Sequence, residues 1–443
     1  MKHKIKIGAT EKSALRSVFI KPISMVLSLL YTPALLAYLG DEKYGVWATI
    51  LSVISWVNYC DIGIGNGLRN ILTVSLTEKN YERAKRTVST AYICLTGISL
   101  FVLAILLISV KLVNWNTLFN TDIDINITLL ISFVFICVNF VLALCNTLLY
   151  ALQKSELVSL QSVFVQLINI ISVYVLQRIS SGNLVLLAIT FGASSLLVYM
   201  STTFNLLRNK KYLRPSFKCF DKKMVKDINQ LGLKFFIAQI AFVVLYTTDN
   251  IIVSKYFGAA QVTPFSLVDK VFNIGYSVFA AFLIPYWSKT TAELASQNFD
   301  GIRKYFRNLN ILALFFSCGC IAVAFIFRPV VNAWLGKTIE FSNELIGVMC
   351  IYYCIYSFCG VSSPIINGLG AVNGVMLLGI FQGIVNIPLS IYLATDGGLG
   401  IVGVRFATLI LVSIGAVYQF IYFYYTLNKL EKKETLRSGG LHE

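Results

Sequence analysis

Six ionisable side chains stand within long apolar stretches of the sequence, where a charge costs about 2.5–3.5 kcal/mol at the centre of a bilayer. They are three cations and three carboxylates, namely Lys21, Lys270, Arg405, Asp61, Asp249 and Asp269. Membrane proteins keep such costly groups where they bind a solute, carry an ion or pair with one another. These six residues therefore predict where the function of the chain resides.

Three of the six charges belong to stripes of polar residues that share one helical face. The first stripe comprises Ser17, Lys21, Ser24, Ser28 and Tyr31, the second Asn58, Asp61, Gly65 and Arg69, and the third Ser266, Lys270, Asn273 and Ser277. A fourth, uncharged stripe comprises Gln382, Asn386 and Ser390. The stripes predict either the wall of a polar cavity or hydrogen-bonded contacts between packed helices. Lys21 and Arg405 could also extend to the membrane surfaces.

The sequence offers no motif for metal-dependent or nucleophilic catalysis. Its only two histidines, His3 and His442, lie in the tails, and no CxxC, Walker, HExxH or GxSxG pattern occurs. The glycines at 63, 65 and 67 lack the flanking strand that a nucleotide-binding fingerprint requires. These absences argue against ATP hydrolysis and hydrolase chemistry.

The composition is that of a membrane protein. Of 443 residues, 57% are hydrophobic and 13% are charged, whereas soluble domains carry roughly 25% charged residues. Apolar runs of about 20 residues recur and predict an all-α polytopic protein with twelve transmembrane helices. The predicted spans are 15–39, 44–66, 88–112, 127–150, 157–177, 184–206, 235–257, 264–287, 309–330, 344–367, 374–395 and 401–425.

The distribution of Lys and Arg predicts the domain plan and the orientation. Residues 207–234 hold nine Lys/Arg and divide an N-terminal six-helix lobe, 1–206, from a C-terminal lobe, 235–425, which a tail follows at 426–443. With both termini in the cytoplasm, inner segments hold 28 Lys/Arg and outer ones six, as the positive-inside rule requires. The formal net charge of +16 therefore reflects membrane topology and not nucleic-acid binding.

The two halves resemble one another in sequence. Tyr38–Gly40 matches Tyr256–Gly258, and Lys79–Glu82 matches Gln297–Asp300, both at a separation of 218 residues. Asn169-Ile170 matches Asn386-Ile387 at 217. Because each half has an even number of spans, both halves enter the membrane with the same polarity. The expected architecture is two parallel six-helix lobes related by a pseudo-two-fold axis along the membrane normal.

Two motifs carry a family resemblance. Residues 38–47 read YLGDEKYGVW and residues 61–70 read DIGIGNGLRN. Together with the twelve-span plan and the segment Thr248–Val253, they resemble the O-antigen flippases. These are the polysaccharide-transporter branch of the multidrug/oligosaccharidyl-lipid/polysaccharide exporter (MOP) superfamily. The resemblance covers essentially the whole chain.

The resemblance implies a transporter and not an enzyme. It implies alternating-access transport of an undecaprenyl-pyrophosphate-linked oligosaccharide, the O-antigen repeat unit, from the inner to the outer leaflet of the bacterial inner membrane. Related lipid II flippases have cationic residues in spans one, two and eight, and Lys21, Arg69 and Lys270 lie in comparable places here. The span charges and polar stripes add Arg405, Ser24, Ser28, Tyr31 and Asn273 as predicted substrate contacts. No cofactor is implied, and coupling to H⁺ or Na⁺ would involve Asp249, Asp269 or Asp61. Expected partners are membrane lipid, a polysaccharide polymerase and a chain-length regulator.

Two alternatives stay open. A cation-coupled drug antiporter of the same superfamily would favour an anionic cavity, whereas the charges within the spans are balanced at three and three. A membrane-embedded glycosyltransferase or polymerase usually needs a large extramembrane loop, and the longest connection here is under thirty residues.

Overall fold

The computed structural model describes residues 9–58, 64–226, 244–245 and 247–439. The structure is 88% helical, and no strand occurs in these ranges, which confirms the all-α prediction. The helices of the first half are α1 (Ala9–Asn58), α2 (Ile64–Thr77), α3 (Tyr81–Leu112), α4 (Trp115–Phe119), α5 (Asn126–Leu142), α6 (Leu144–Ala151), α7 (Ser155–Ile179) and α8 (Leu184–Asn209). Those of the second half are α9 (Asp249–Phe257), α10 (Ala259–Ala295), α11 (Phe299–Phe325), α12 (Phe327–Leu335), α13 (Asn343–Gly368), α14 (Val372–Ala394) and α15 (Gly400–Gly439).

Most predicted spans coincide with observed helices. Within the described ranges, ten helical segments are long and apolar enough to cross a membrane. One of them, Pro22–Val57, overlaps the first two predicted spans, 15–39 and 44–66, and a non-helical backbone at Gly40, with φ 73° and ψ 176°, divides it between them. Residues 235–243 and 246 of the predicted seventh span, 235–257, lie outside the described residues, and α9 forms the end of this span. The multi-pass character is therefore confirmed, and the count of twelve stays a prediction.

Left-handed backbone turns recur at equivalent places in the two halves. Five such residues of the first half pair with five of the second at separations of 216 to 218 residues. The pairs are Gly40 and Gly258, Lys79 and Gln297, Asn120 and Gly336, Gln153 and Gly370, and Gly182 and Gly400. The sequence matches have separations of 217 and 218 residues, in the same narrow range. The internal repeat thus extends to local backbone conformation, while the symmetry axis stays a prediction.

The turn at Lys79 and the equivalent turn at Gln297 have the same hydrogen bonds. The Lys79 amide donates to Leu76 O (3.2 Å) and the Asn80 amide to Ser75 O (2.9 Å), which is a Schellman end to α2. At the equivalent place in the second half, the Gln297 and Asn298 amides donate to Leu294 O and Glu293 O at 3.1 and 2.9 Å. In each half the following asparagine side chain caps the next helix, at Arg83 N or Gly301 N, both at 3.0 Å.

The chain forms two compact units that divide near residue 240. The first comprises residues 1–240 with 258–260, and the second comprises 241–257 with 261–443. The core of the first unit includes Leu68, Val88 and Leu148, from α2, α3 and α6. In the second unit, Phe306 of α11 stacks on Phe423 of α15 with ring centroids 3.9 Å apart.

The first part of the predicted connector is anchored to the first unit. The Ser216 amide donates to Ser89 Oγ (3.0 Å), and the Asp221 amide donates to Thr90 Oγ1 (3.1 Å). Both hydroxyls belong to α3 and are fully buried. The remainder of the connector, from residue 227, lies outside the described residues.

Candidate functional site

A buried ionic cluster lies in the second unit. Arg405, near the start of α15, places its Nη1 3.3 Å from Asp249 Oδ2 and its Nη2 2.7 Å from Asp269 Oδ1. Asp249 begins α9, and Asp269 lies on α10. The side chains of Arg405 and Asp249 are each 4% exposed, and that of Asp269 is 31% exposed. One guanidinium therefore pairs with two carboxylates, and the three residues come from three different helices.

Aromatic side chains of α13 surround this cluster. Tyr353 Oη donates to Asp269 Oδ1 at 2.9 Å, and the Asn273 amide donates to the same hydroxyl at 3.1 Å. The Arg405 guanidinium lies 4.6 Å from the ring centre of Tyr352, a cation–π distance. These contacts fix the orientation of Asp269 and Arg405 from several sides.

A second polar network adjoins the cluster. Asn386 of α14 is fully buried and donates to Thr408 Oγ1 at 2.9 Å, while Thr248 Oγ1 donates to Asn386 Oδ1 at 3.4 Å. Thr248 directly precedes Asp249 and Thr408 lies one helical turn after Arg405, so the two networks share the same helices.

The uncharged stripe on α14 is a helix–helix contact. Gln382 donates to Leu411 O at 2.6 Å and Ser390 donates to Val404 O at 3.4 Å, in addition to the Asn386 bond. All these partners lie on α15, and all three side chains are buried. For this stripe, the packing interpretation is confirmed over the cavity interpretation.

The first unit has a related contact at the position equivalent to Asn386. Asn169 of α7 is 3% exposed and accepts a hydrogen bond from Ser194 Oγ of α8 at 2.7 Å. In each half, therefore, a buried asparagine of that half's fifth predicted span forms a hydrogen bond with a hydroxyl of its sixth predicted span. The sequence match between these asparagines thus corresponds to a shared packing role.

Lys270 is separated from the cluster although it follows Asp269 directly. Successive helical residues point about 100° apart, and Asp269 turns toward Arg405 and Tyr353. The Lys270 side chain is half-buried. Among the described residues, the structure records no carboxylate paired with its ammonium group. Lys270 is thus a cation in an apolar helix, and no described carboxylate acts as its direct counter-ion.

The predicted residues of the first unit have varied surroundings. Ser24 and Ser28 are half-buried, and Tyr31 is 8% exposed with no hydrogen-bond partner for its hydroxyl in the described ranges. Lys21 lies in α1, but its side chain is outside the described part of the structure. Arg69 is exposed on α2, with its guanidinium 5.0 Å from the ring centre of Tyr150. Asp61 lies outside the described residues.

The structure thus joins four predicted residues and adds two that the sequence did not indicate. Asp269 and Asn273 both bond to the Tyr353 hydroxyl, and Arg405 joins Asp269 to Asp249. Neither Tyr353 nor Tyr352 was expected, because both lie in a span rich in aromatic residues and belong to no polar stripe. The guanidinium of Arg405 does not extend to a membrane surface, since it is buried among its partners.

Comparison with known proteins yields matches along most of the chain. A family model described as "Polysaccharide biosynthesis protein" matches residues 12–291, more than half of the chain. A second model, described as MatE, matches residues 235–392. The two models overlap at residues 235–291 and together extend over both units.

Full-length relatives occur among curated proteins. The chain is 22% identical over 390 residues to the "Putative O-antigen transporter" of Salmonella typhimurium, covering 85% of this chain and 87% of that protein. It is 23% identical over 414 residues to the "Putative O-antigen export protein" of Yersinia pseudotuberculosis, covering 90% of each.

Solved structures share the fold. One, described as the inward-facing conformation of a multidrug resistance MATE family transporter of the MOP superfamily, aligns with a TM-score of 0.80 at 15% identity. That alignment covers 95% of this chain and 99% of the other. A MOP superfamily transporter from Pyrococcus furiosus aligns with a TM-score of 0.64 at 16% identity, covering 96% and 97%. At such identities the likeness establishes the fold alone.

Proposed function

Because this chain belongs to the polysaccharide biosynthesis protein family, we propose that it is a flippase for a lipid-linked oligosaccharide. The cargo is an O-antigen-type repeat unit on undecaprenyl pyrophosphate, turned from the inner to the outer leaflet of the bacterial inner membrane. The names of the full-length relatives support export of this class of glycan. The chain acts as a transporter and performs no covalent chemistry on its cargo.

The observation that supports the proposal best is that Lys270 has no ion-pair partner among the described residues. Arg405 occupies the carboxylates of Asp249 and Asp269, so neither forms a direct pair with Lys270. A half-buried cation within an apolar helix gains most from an anion that it can desolvate and bind. The pyrophosphate of the cargo is such an anion, and we assign Lys270 to it.

Polar side chains of α1 supply contacts for the sugars. Ser24 and Ser28 retain some exposure. The Tyr31 hydroxyl has no partner among the described residues, and a buried hydroxyl without a partner is unfavourable. We assign these three groups to sugar hydroxyls, with Lys21, Arg69 and Asn273 as the further cargo contacts predicted from the sequence. Arg405, also predicted at the substrate, pairs with Asp249 and Asp269, and we assign it to the ionic cluster instead.

The orientation follows from the charge distribution. The excess of Lys and Arg on one side of the predicted spans assigns both termini and the connector to the cytoplasm. The pyrophosphate and sugars are then taken up from the inner leaflet, and alternating access releases them outward. The prenyl tail stays in lipid throughout, since only the head group needs polar partners.

We further propose that the carboxylates around Arg405 couple transport to a cation gradient. Two carboxylates and one guanidinium leave the cluster with one excess negative charge, which H⁺ or Na⁺ would neutralise. Asp249 is the principal candidate because it is buried and makes the longer of the two contacts with Arg405. A cation moving down the membrane potential yields about 2.3 kcal/mol per 100 mV.

Deletion of the gene in its native host tests the proposed cargo. We expect an undecaprenyl-linked repeat unit to accumulate on the inner leaflet and surface polysaccharide to be lost. Mass spectrometry of extracted lipids identifies the accumulated glycan. Normal surface polysaccharide together with new sensitivity to cationic drugs would contradict the proposal and indicate a multidrug antiporter.

A further inference from the structure

A groove between α7 and α8 of the first unit is unrelated to the residues assigned above. It has a volume of about 540 Å³. Its wall is mainly apolar and includes Leu157, Phe164 and Leu197, while Lys154 and Lys210 lie at one end. Phe164 and Leu197 are 54% and 59% exposed, so this apolar surface is not covered by the unit to which it belongs.

The apolar part of the groove has the length of one membrane leaflet. Along α7 it runs from Leu157 to Ile168, which is about 16 Å at 1.5 Å per residue. Half of a hydrocarbon core about 30 Å thick is about 15 Å. A single extended acyl chain therefore matches the groove, whereas an undecaprenyl chain is much longer than one leaflet.

The cationic end lies where a lipid phosphate would be. Lys154 directly precedes α7 and Lys210 directly follows α8, so both ammonium groups are at the helix ends, beside the basic connector. No described carboxylate forms an ion pair with either lysine. Asn205 and Asn209 line the same end of the groove and can bond to glycerol or phosphate oxygens.

We propose that this groove binds an anionic glycerophospholipid of the leaflet that faces the connector. One acyl chain lies along α7 and α8, and the phosphate lies between Lys154 and Lys210. Charge complementarity selects an anionic head group, and the length of the groove selects an acyl chain. The site is separate from the transport proposal, which stands or falls independently.

Native mass spectrometry of the purified full-length protein tests the site. Phosphatidylglycerol and phosphatidylcholine with identical acyl chains are titrated in turn. We expect phosphatidylglycerol to bind the wild type more tightly than phosphatidylcholine does. The double variant Lys154→Gln/Lys210→Gln should bind phosphatidylglycerol about tenfold or more weakly than the wild type, since each lysine near an anionic lipid surface contributes about a fivefold preference. The double variant Lys218→Gln/Lys222→Gln is the matched control, because both lysines are exposed and outside the groove.

A second variant tests the apolar part. Ser201 lines the groove on an exposed face of α8, and Ser201→Phe should exclude the acyl chain and weaken binding of both lipids. Equal binding of the two lipids by the wild type would overturn the proposal. So would unchanged phosphatidylglycerol binding in the Lys154→Gln/Lys210→Gln and Ser201→Phe variants, or displacement of phosphatidylglycerol by equimolar undecaprenyl phosphate.

Discussion

Arg405 lies between two carboxylates, and Lys270, the cation that we assign to the cargo, lies outside this group of charges. Asp249 and Asp269 are each within ion-pair distance of its guanidinium. Lys270, one residue from Asp269, takes no direct part in this pairing. Arg405 and Lys270 therefore have different surroundings, and we propose different roles for them, although the sequence presents them alike.

Removing Arg405 should destabilise the protein strongly. Arg405→Leu leaves two carboxylates without their counter-ion, and loss of one partner of a buried ion pair costs about 3–5 kcal/mol. We expect a clear fall in the temperature at which the detergent-solubilised protein unfolds. Arg307→Leu is the matched control, since Arg307 is exposed on α11 and no described residue forms an ion pair with it.

The triple variant Arg405→Leu/Asp249→Asn/Asp269→Asn separates ion pairing from packing. Removing the carboxylates together with the guanidinium leaves no uncompensated charge, so most of the lost stability should return. If the triple variant unfolds at the same temperature as Arg405→Leu, the ion pairs are not the cause of the loss.

Asp249 is the residue through which a cation gradient is proposed to act. Asp249→Asn removes the ionisable group but keeps the size of the side chain. We expect transport by this variant to lose its response to an imposed proton or sodium gradient, while Asp122→Asn, an exposed residue between α4 and α5, keeps it. The measurement is the rate of glycolipid transfer in vesicles with and without the gradient. A full gradient response in Asp249→Asn would remove this residue from coupling.

At the scale of elements, the turn at Gly40 requires a backbone conformation that only glycine adopts easily. Gly40 divides α1 with φ 73° and ψ 176°, a region that is essentially restricted to glycine. A Cβ at this position would meet no atom within 4 Å. Any effect of a larger residue at Gly40 would therefore come from the backbone.

Gly40→Ala should lower stability by about 1–3 kcal/mol, the cost of an unfavourable backbone conformation. Gly97→Ala is the control: Gly97 lies within α3, and its added methyl group also meets no atom within 4 Å. In a helix interior this change should stabilise by about 0.5–1 kcal/mol. Thermal unfolding of the two variants in detergent gives the comparison. Equal shifts in both variants would contradict a strained turn at Gly40.

The helices could be predicted from the sequence because hydrocarbon imposes both their length and their apolar composition. Predicted spans such as 157–177 and 344–367 fall within α7 and α13. The bounds of other helices could not be predicted as well. The predicted ninth span, 309–330, begins ten residues after the start of α11, because the first turns of this helix are polar and lie outside the apolar run. The division of α1 was predicted only as a short gap between two spans.

The site could be predicted in part. Hydropathy identified Asp249, Asp269 and Arg405 as costly charges, but not that they meet, because pairing between spans leaves no periodic signal in one sequence. In the sequence, the polar stripe on α14 could not be distinguished from the wall of a cavity. Only its hydrogen-bond partners on α15 identify it as a contact between packed helices. Tyr353 was missed because an aromatic hydroxyl adds little to the polarity of an apolar run.

At the scale of the whole molecule, the two halves repeat one plan with different polar contents. Left-handed turns and buried asparagines recur at matching positions. The ionic cluster, in contrast, occurs in the second half: the residues 218 positions before Asp249, Asp269 and Arg405 are Tyr31, Leu51 and Leu187. The repeat therefore supplies the scaffold, and substitutions within the repeats supply the proposed cargo and coupling residues.

The central claim is that this chain carries a lipid-linked oligosaccharide across the membrane with Lys270 at its pyrophosphate. Its most direct test is a transfer assay in vesicles that contain an undecaprenyl-pyrophosphate-linked oligosaccharide. Binding of an added lectin to the exposed sugars measures the transfer. Wild-type protein and Lys289→Gln, an exposed control on the same helix, should expose the glycan well above protein-free vesicles. Lys270→Gln should reduce the rate at least tenfold, and Lys270→Arg should restore part of it. No transfer by the wild type, or an unchanged rate in Lys270→Gln, would contradict the claim.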